Sequence, residues 1–570
     1  MTISARSPDV TERIGEITGP LRDGLTVQYQ RVLNRGQQAA LAVLLTLILA
    51  SGSALLWLLA ARTTAAGPAS ETVLAIMIAL EAVRVAMGIP AAIFATRARD
   101  PIPLRPAGRS DGDLPRVALL TTIVPSKEPI ELVRKTLIAM LAVRYEGIKD
   151  VYLLDEGDDP ACRAMCAELG VRHFTRKGIA KWNTAGGAFK AKTKAGNHNA
   201  WRDRHERGYD IVGQADPDHV PFPWFLERSI GYFNDADTGF VVAPQVYGNG
   251  HESWIAKGAA QMAYIFEAIV QRGANALGAP ILIGTNHLYR ITCWRMIGGY
   301  QDSITEDHLT GMAVLAATNP RTGNRWRGVY TPDILAIGEG PSTWTDWFAQ
   351  QMRWAWGMWQ IGCKHSPRLL PQLDRRQRLS YLLLQPYYPL VCVQWLLSIT
   401  LSTAYLVTGA HLRMPVMLWA TAWGASMASM FAFFLWTHRF NLTARQRREP
   451  GFTGLALMLM TIPVFASAGL RWISRRGLPY VITAKGNLAS PDSLRTFRPH
   501  LVWACWTGTL LALAGLGVLH PWPVVIFWVA VAFAISTVPP GIYLAGRLRH
   551  APAVPPATEP QRVLVGTASR

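Results

Sequence analysis

Acidic side chains are scarce in this sequence, and cysteine is scarcer still. The 570 residues hold 38 Asp and Glu against 57 Lys and Arg, a formal net charge of +19, and six Cys. The cysteines (Cys162, Cys166, Cys293, Cys363, Cys392, Cys505) are scattered and show no metal-ligand spacing, so they read as ordinary thiols. A secretory signal is not expected, because residues 1–36 are polar and charged with no short apolar core. The basic excess is not gathered into a patch with a recognisable nucleic-acid module, so nucleic acid is not an expected partner. In a chain that is 50% hydrophobic and carries 21 Trp, it fits basic loops beside membrane helices, with a phosphate-rich substrate adding to it.

Long apolar runs are present. A membrane helix needs about 20 apolar residues, and six stretches qualify: roughly 39–60, 73–95, 382–408, 416–436, 501–519 and 524–544. A seventh run, 454–468, is short, contains Pro463 and is framed by Arg445, Arg447, Arg448 and by Arg471, Arg475, Arg476. It reads as an interfacial amphipathic helix. Arg22, Arg31, Arg35, Arg97, Arg99, Arg439 and Arg547 fall on one side of the six spans. The loops on the other side, 61–72, 409–415 and 520–523, hold only Arg62 and Arg413. The positive-inside rule then places both termini and the polar middle, 100–380, in the cytoplasm of a multi-pass protein of the cytoplasmic membrane. Glu81 and Arg84, three apart inside the second span, read as a self-neutralising pair.

The polar middle alternates strand and helix patterns. Apolar runs at 117–124, 150–154, 211–215 and 241–244 read as buried strands, with a helical pattern at 131–143. Such alternation predicts a mainly parallel α/β sheet. Ligands of those sheets bind beyond the C-terminal strand ends, so acids there become candidates.

Four constellations follow in order. Asp155-Glu156-Gly157 closes the second strand; its carboxylate could accept from a ribose or base, or merely cap a turn. Asp216-Pro217-Asp218-His219 closes the third. Two carboxylates one residue apart can hold a hard divalent cation, Mg²⁺ or Mn²⁺, against a diphosphate; the alternative is a solvated acidic turn. Thr305-Glu306-Asp307 opens a helix, where a carboxylate is either a cap or a base. Gln350-Gln351-Met352-Arg353-Trp354 lies among Trp344, Trp347, Trp356 and Trp359. Indole faces stack on sugars and Arg pairs with phosphate, whereas Trp356 and Trp359 read as an interfacial belt.

The order and spacing of these pieces resemble the membrane-bound family-2 glycosyltransferases, typified by bacterial cellulose synthase catalytic subunits and related to chitin and hyaluronan synthases. That family shows D, DxD, TED and Q(Q/R)xRW, here Asp155, Asp216/Asp218, Thr305–Asp307 and Gln350–Trp354. Lys194-Ala195-Gly196-Asn197 looks like its KAGN segment. Gly298-Gly299-Tyr300 precedes the TED, and Tyr480-Val481-Ile482-Thr483-Ala484-Lys485 is similar to the FxVTxK gating loop. The likeness covers about residues 115–550. Departures are Val124-Pro125-Ser126-Lys127-Glu128-Pro129 for the usual PTYNEP, Glu156 for a second Asp, Tyr480 for Phe, and Leu282-Ile283-Gly284-Thr285-Asn286 where cellulose synthases carry FCGS. The tail after Arg549 is too short for a cyclic-di-GMP barrel, so control by that nucleotide is not expected.

The resemblance implies a GT-A α/β domain in the cytoplasm joined to about six membrane helices. The expected divisions are an N-terminal segment 1–36, helices in 37–99, the GT-A domain 100–345, interfacial helices 346–380 and two spans in 381–437. An interfacial helix with gating loop (438–496), two spans (497–548) and a tail (549–570) follow. It further implies an inverting, processive enzyme that builds a β-linked polysaccharide from a UDP-sugar, with UDP-glucose or a UDP-N-acetylhexosamine favoured, and passes it through the bilayer. Glu128, Asp155, Lys194, Asp216, Gln350, Arg353, Thr483 and Lys485 would hold the donor. Asp216, Asp218 and His219 would take the metal, Asp307 beside Glu306 would be the base, and Trp354, Gly284, Thr285 and Asn286 would meet the growing polysaccharide. An accessory secretion subunit is compatible with this reading. The competing reading is a non-processive synthase adding one sugar to a membrane lipid.

Overall fold

A computed structural model describes residues 17–108, 113–478 and 489–549. Thr483, Lys485 and the rest of the expected gating loop lie outside the described residues, as does the chain beyond 549.

A seven-stranded sheet forms the centre of the polar middle. Its strands are β1 (Val117–Ile123), β2 (Lys149–Asp155), β3 (Arg172–Phe174), β4 (Ile211–Gln214), β5 (Thr238–Val242), β6 (His287–Arg290) and β7 (Arg327–Tyr330). Their spatial order is β7-β5-β6-β4-β1-β2-β3. All neighbouring pairs run parallel except those of β6, which is antiparallel to both β4 and β5. The sheet is buried on both faces, with one core cluster around Trp201, Tyr289 and Trp294 and another around Leu119, Leu153 and Phe225. Double burial explains why β1 reads as an unbroken apolar run rather than an alternating one.

The reversed strand matters for function. Because β6 runs the other way, its entry segment, Ile283-Gly284-Thr285, arrives at the same edge at which β4 delivers Asp216; His287 pairs with Gln214 across the register. Sequence alternation predicted the parallel strands and gave no sign of this one.

Among the described residues, six helices are long and apolar enough to cross a membrane: Arg35–Ala61, Pro68–Arg97, Arg375–Thr408, Val416–Phe440, Phe452–Ile473 and Pro523–Leu548. Large apolar side chains stand exposed on them, Met417 at 82% and Val43 at 60%, as lipid-facing surfaces require. This set differs from the sequence expectation at one place. The run expected to be short is a 22-residue helix, Phe452–Ile473, that continues through Pro463. Arg498–Gly515 has 18 residues and is absent from the set. Phe452–Ile473 is held against the α/β domain and its adjoining helix: Trp347 Nε1 donates to Thr461 Oγ1 at 2.9 Å, and Gly454 N to Gln261 Oε1 at 2.9 Å.

The three loops expected on the far side meet one another. Thr64–Ala65 pairs with Leu412–Arg413, His411 N donates to Ser70 Oγ at 3.1 Å, and His411 and Trp522 rings lie 5.1 Å apart. At the other end, Tyr29–Arg31 pairs with Arg99–Pro101, and Thr18 and Arg228 both bond Asp333, so residues 17–31 are strapped onto the α/β domain. Glu81 and Arg84 are paired, with Arg84 Nε donating to Glu81 Oε2 at 2.8 Å.

Candidate active site

One cleft of about 1460 Å³ collects most of the candidate residues. Glu128, Lys194, Asp216, Asp218, Gly284, Thr285, Glu306, Asp307, Gln350, Arg353 and Trp354 all line it. So do Met87, Pro90 and Phe94 from the helix Pro68–Arg97, Tyr387 and Tyr388, and Leu455 and Met458. The cleft therefore runs from the strand ends to the apolar helices.

At the β4 end, Asp216 N donates to Thr285 Oγ1 at 2.9 Å, fixing the turn against the β6 entry segment. The Asp216 carboxylate is paired with Lys194 Nζ, which also donates to the Gly284 carbonyl at 2.5 Å. Lys194 opens the helix Lys194–His205, whose N-cap Thr193 accepts from Gly196 N. Gly196 is obligatory there, since a Cβ would fall 2.2 Å from the Lys190 carbonyl. Three residues on, Asn199 clamps Tyr300 through both the nitrogen and the oxygen of its amide, at 2.9 Å each, which joins the helix that KAGN opens to the Gly298-Gly299-Tyr300 turn.

Asp218 accepts from Glu339 N at 3.1 Å. Ligand atoms of Asp216, Asp218 and His219 all lie within 4.8 Å of one another, so the three can hold one metal ion. Two carboxylates and an imidazole suit Mn²⁺ and, through the carboxylates, Mg²⁺. His219 is fully buried behind the pair, its Nδ1 3.4 Å from Asp218 Oδ2 and its ring packed on Gly338, where a Cβ would lie 2.2 Å away.

Glu306 and Asp307 open the helix Glu306–Ala316. A Cβ added to Gly284 would lie 3.3 Å from Asp307 Oδ2, so glycine keeps the space beside this carboxylate clear. Burial pushes the Glu306 carboxyl up to about 7, with the Asp307 charge adding to the rise, and burial raises Asp307 as well. Lys194 opposes both shifts. Lys194 thus joins the Asp216 carboxylate to the Gly284 backbone, beside which the Asp307 carboxylate has room.

Gln350–Trp354 lies on the helix Trp344–Gln360, N-capped by Thr343. Gln350 and Gln351 are buried, and Gln350 Oε1 has no hydrogen-bond partner among the described residues. Trp356 packs edge-on against Trp472 at 5.3 Å, a core contact rather than a belt position.

Three predicted residues among the described ones do not line the cleft: His219, buried behind the acid pair, Asp155 and Asn286. Asp155 is fully buried and its oxygens accept from Gly157 N at 2.8 Å and Asp159 N at 2.6 Å, with His173 Nε2 at 3.1 Å. Its carboxylate organises the loop after β2; Glu156 and Gly157 from that loop line the cleft instead. Glu156 is itself fixed by Arg176, at 2.8 and 2.9 Å. Asn286 is fully buried and donates to the Pro244 carbonyl at 3.1 Å, so its side chain supports the segment whose neighbours face the cleft.

Sequence reasoning missed Glu267. It is 5% exposed, lines the cleft, and sits in a π-helical segment, Phe266–Val270. An acid in the middle of Met262-Ala-Tyr-Ile-Phe-Glu-Ala-Ile-Val270 was the available signal.

Fold and site together fit a glycosyltransferase domain. The model of the family described as glycosyl transferase family group 2 matches residues 216–437. The chain resembles the membrane-bound cellulose synthases within that group. It is 28% identical over 267 residues to a cellulose synthase catalytic subunit (UDP-forming) of Xanthomonas axonopodis pv. citri, covering 45% of this chain and 33% of that protein. It is 26% identical over 493 residues to cellulose synthase 2 of Novacetimonas hansenii, covering 80% of this chain and 28% of that protein. The chain thus spans about a third of the length of these relatives. Among solved structures, a mannosyltransferase of Pyrobaculum calidifontis, in complex with GDP-mannose and Mn²⁺, matches 72% of this chain and all of its own at 13% identity, with a TM-score of 0.39.

Proposed function

We propose that the protein is a processive, inverting glycosyltransferase of the cytoplasmic membrane that extends a β-linked polysaccharide from a UDP-sugar and passes it through its own helices. The observation that carries this reading is one cleft, with acids of several separate chain segments at one end and apolar helices at the other. A lipid acceptor would also enter from those helices, so product length separates this reading from its competitor. The far-side loops cluster away from the α/β domain, in keeping with a cytoplasmic catalytic side.

In this reading Asp216 and Asp218 would hold Mg²⁺ or Mn²⁺, with His219 a third donor, and the cation would offset charge on the leaving diphosphate. Glu128, the Glu156 loop, Gln350 and Arg353 orient the donor. Lys194, paired with Asp216 in this structure, turns to phosphate oxygens when the donor binds. Thr483 and Lys485 are assigned to closing over it. Asp307, a stronger base for being buried, takes the proton of the acceptor hydroxyl as that oxygen bonds to C1. The bond from C1 to the diphosphate breaks with its electron pair on UDP. Attack from the face opposite UDP turns an α-linked donor into a β-glycoside. Trp354 stacks on the acceptor sugar.

The test is purified full-length protein with UDP-glucose, UDP-N-acetylglucosamine and GDP-mannose, with Mg²⁺ or Mn²⁺. Metal-dependent UDP release with a long product cut by a β-specific hydrolase is expected. A single glycolipid would replace this reading with its competitor, and no UDP release from any UDP-sugar would refute it.

A further inference from the structure

A carboxyl group buried without a cation needs a reason, because removing a polar group from water costs free energy unless partners replace the water. Glu267 is such a group. Its Oε1 accepts from Gln245 N at 3.2 Å, while Oε2 has no hydrogen-bond partner among the described residues. Burial pushes this carboxyl up to about 8, so near neutral pH it carries a proton and can donate a hydrogen bond.

The backbone around it is also unusual. The helix Trp254–Ile265 passes into Gln271–Ala276 through the π-helical turn Phe266–Val270 that contains Glu267. Such turns shift side chains off the α-helical stripe and recur at functional sites. The Tyr330 hydroxyl holds the turn by donating to the Glu267 carbonyl at 2.7 Å.

Its location narrows the occupant. Gln245, whose backbone binds Glu267, reaches the His219 ring at 3.4 Å with its side chain, so the metal-binding group is one residue away. On the other side the same helix lies against the membrane helix Pro68–Arg97: a Cβ at Gly273 would fall 2.5 Å from Phe94 Cα. Glu267 thus stands where the cleft passes from the acids to the apolar helices.

We propose that Glu267 is an acceptor-subsite residue whose carboxyl hydrogen-bonds a hydroxyl of the sugar chain as it leaves the catalytic acids for the membrane passage. This rests on the polymerase reading above and adds a polar rest point on a wall that is otherwise largely apolar. A neutral, hydroxyl-rich ligand suits a protonated carboxyl with one idle oxygen better than a cation does.

Binding of cellotetraose and chitotetraose to full-length protein tests it, with UDP binding measured beside it. Wild type is expected to bind the tetrasaccharide of its own product sugar. Glu267→Gln, which keeps a donor at the same place, is expected to stay within about threefold, and Glu267→Leu to lose about tenfold or more, with a smaller loss for UDP. Should the leucine variant not fold, Glu267→Asp, which withdraws the carboxyl by a methylene, is expected to bind more weakly than Glu267→Gln. Unchanged tetrasaccharide binding in the leucine or aspartate variant, or a loss falling mainly on UDP, would overturn the proposal. So would a wild type that makes polymer yet binds neither tetrasaccharide. A wild type that releases no UDP would instead remove the function on which the proposal stands.

Discussion

Asp155 and Asp216 occupy equivalent places in the sequence, each an acid closing a buried strand, and the structure puts them to opposite uses. Asp155 has its side chain fully buried and bound by two backbone amides and His173 within its own loop. The Asp216 side chain is 27% exposed, lines the cleft and meets the Lys194 ammonium. Strand-end position alone does not make a site. What separates the two is where the remaining hydrogen-bonding capacity points, and that depends on the reversed strand β6, which brings Gly284 and Thr285 against Asp216 and has no counterpart beside Asp155.

The contrast is sharpened first at Asp307, whose carboxylate has room beside Gly284. Asp307→Asn is expected to lower sugar transfer by about 10²–10⁴-fold, the usual worth of a positioned base, while UDP binding survives; polymer synthesis rates and UDP titration check it. Next, Trp354→Ala is expected to cut elongation by about tenfold, the worth of one lost stacking contact in a partly dry site, and to affect donor hydrolysis less. Equal losses in polymer length and UDP release would make that indole structural. A smaller effect follows from the raised carboxyls of Glu306 and Asp307. A base must be ionised to act, so activity is present above its pKa and falls as pH drops through it. The acid limb of the kcat/KM profile is therefore expected above the ordinary carboxylate value of about 4. Asp155→Asn should change kcat least. Its expected signature is a stability loss of about 1–3 kcal/mol, from a buried group that trades an acceptor oxygen for a donor facing backbone N–H groups, read as a lower unfolding midpoint. A collapse of kcat with unchanged stability would place Asp155 in the chemistry after all and erase the contrast with Asp216.

Much of this was legible in the sequence because strand ends, acid pairs and apolar length are local signals. The DxD pair, the TED helix start and Gln350–Trp354 were found that way and converge on one cleft. The parts that were not legible depend on contacts between distant segments. Asn286 looked like its neighbours Gly284 and Thr285, but the alternation of side chains turns it inward to Pro244. The helix Phe452–Ile473 reads as shorter in the sequence because its apolar run, 454–468, contains Pro463 and is framed by arginines, whereas the helix continues through the proline to 22 residues. Glu267 was hidden because an acid within a helix is ordinarily a surface residue, whereas this one is buried in a π-turn.

The central claim is that Asp216 and Asp218 bring a divalent cation to a UDP diphosphate in this cleft. UDP binding with and without Mn²⁺ measures it directly, in wild type and in Asp216→Asn and Asp218→Asn. Mn²⁺ is expected to tighten UDP by about tenfold or more in wild type and to leave both variants nearly unaffected. UDP that binds equally well without metal, or Mn²⁺ enhancement that persists in both variants, would contradict the site.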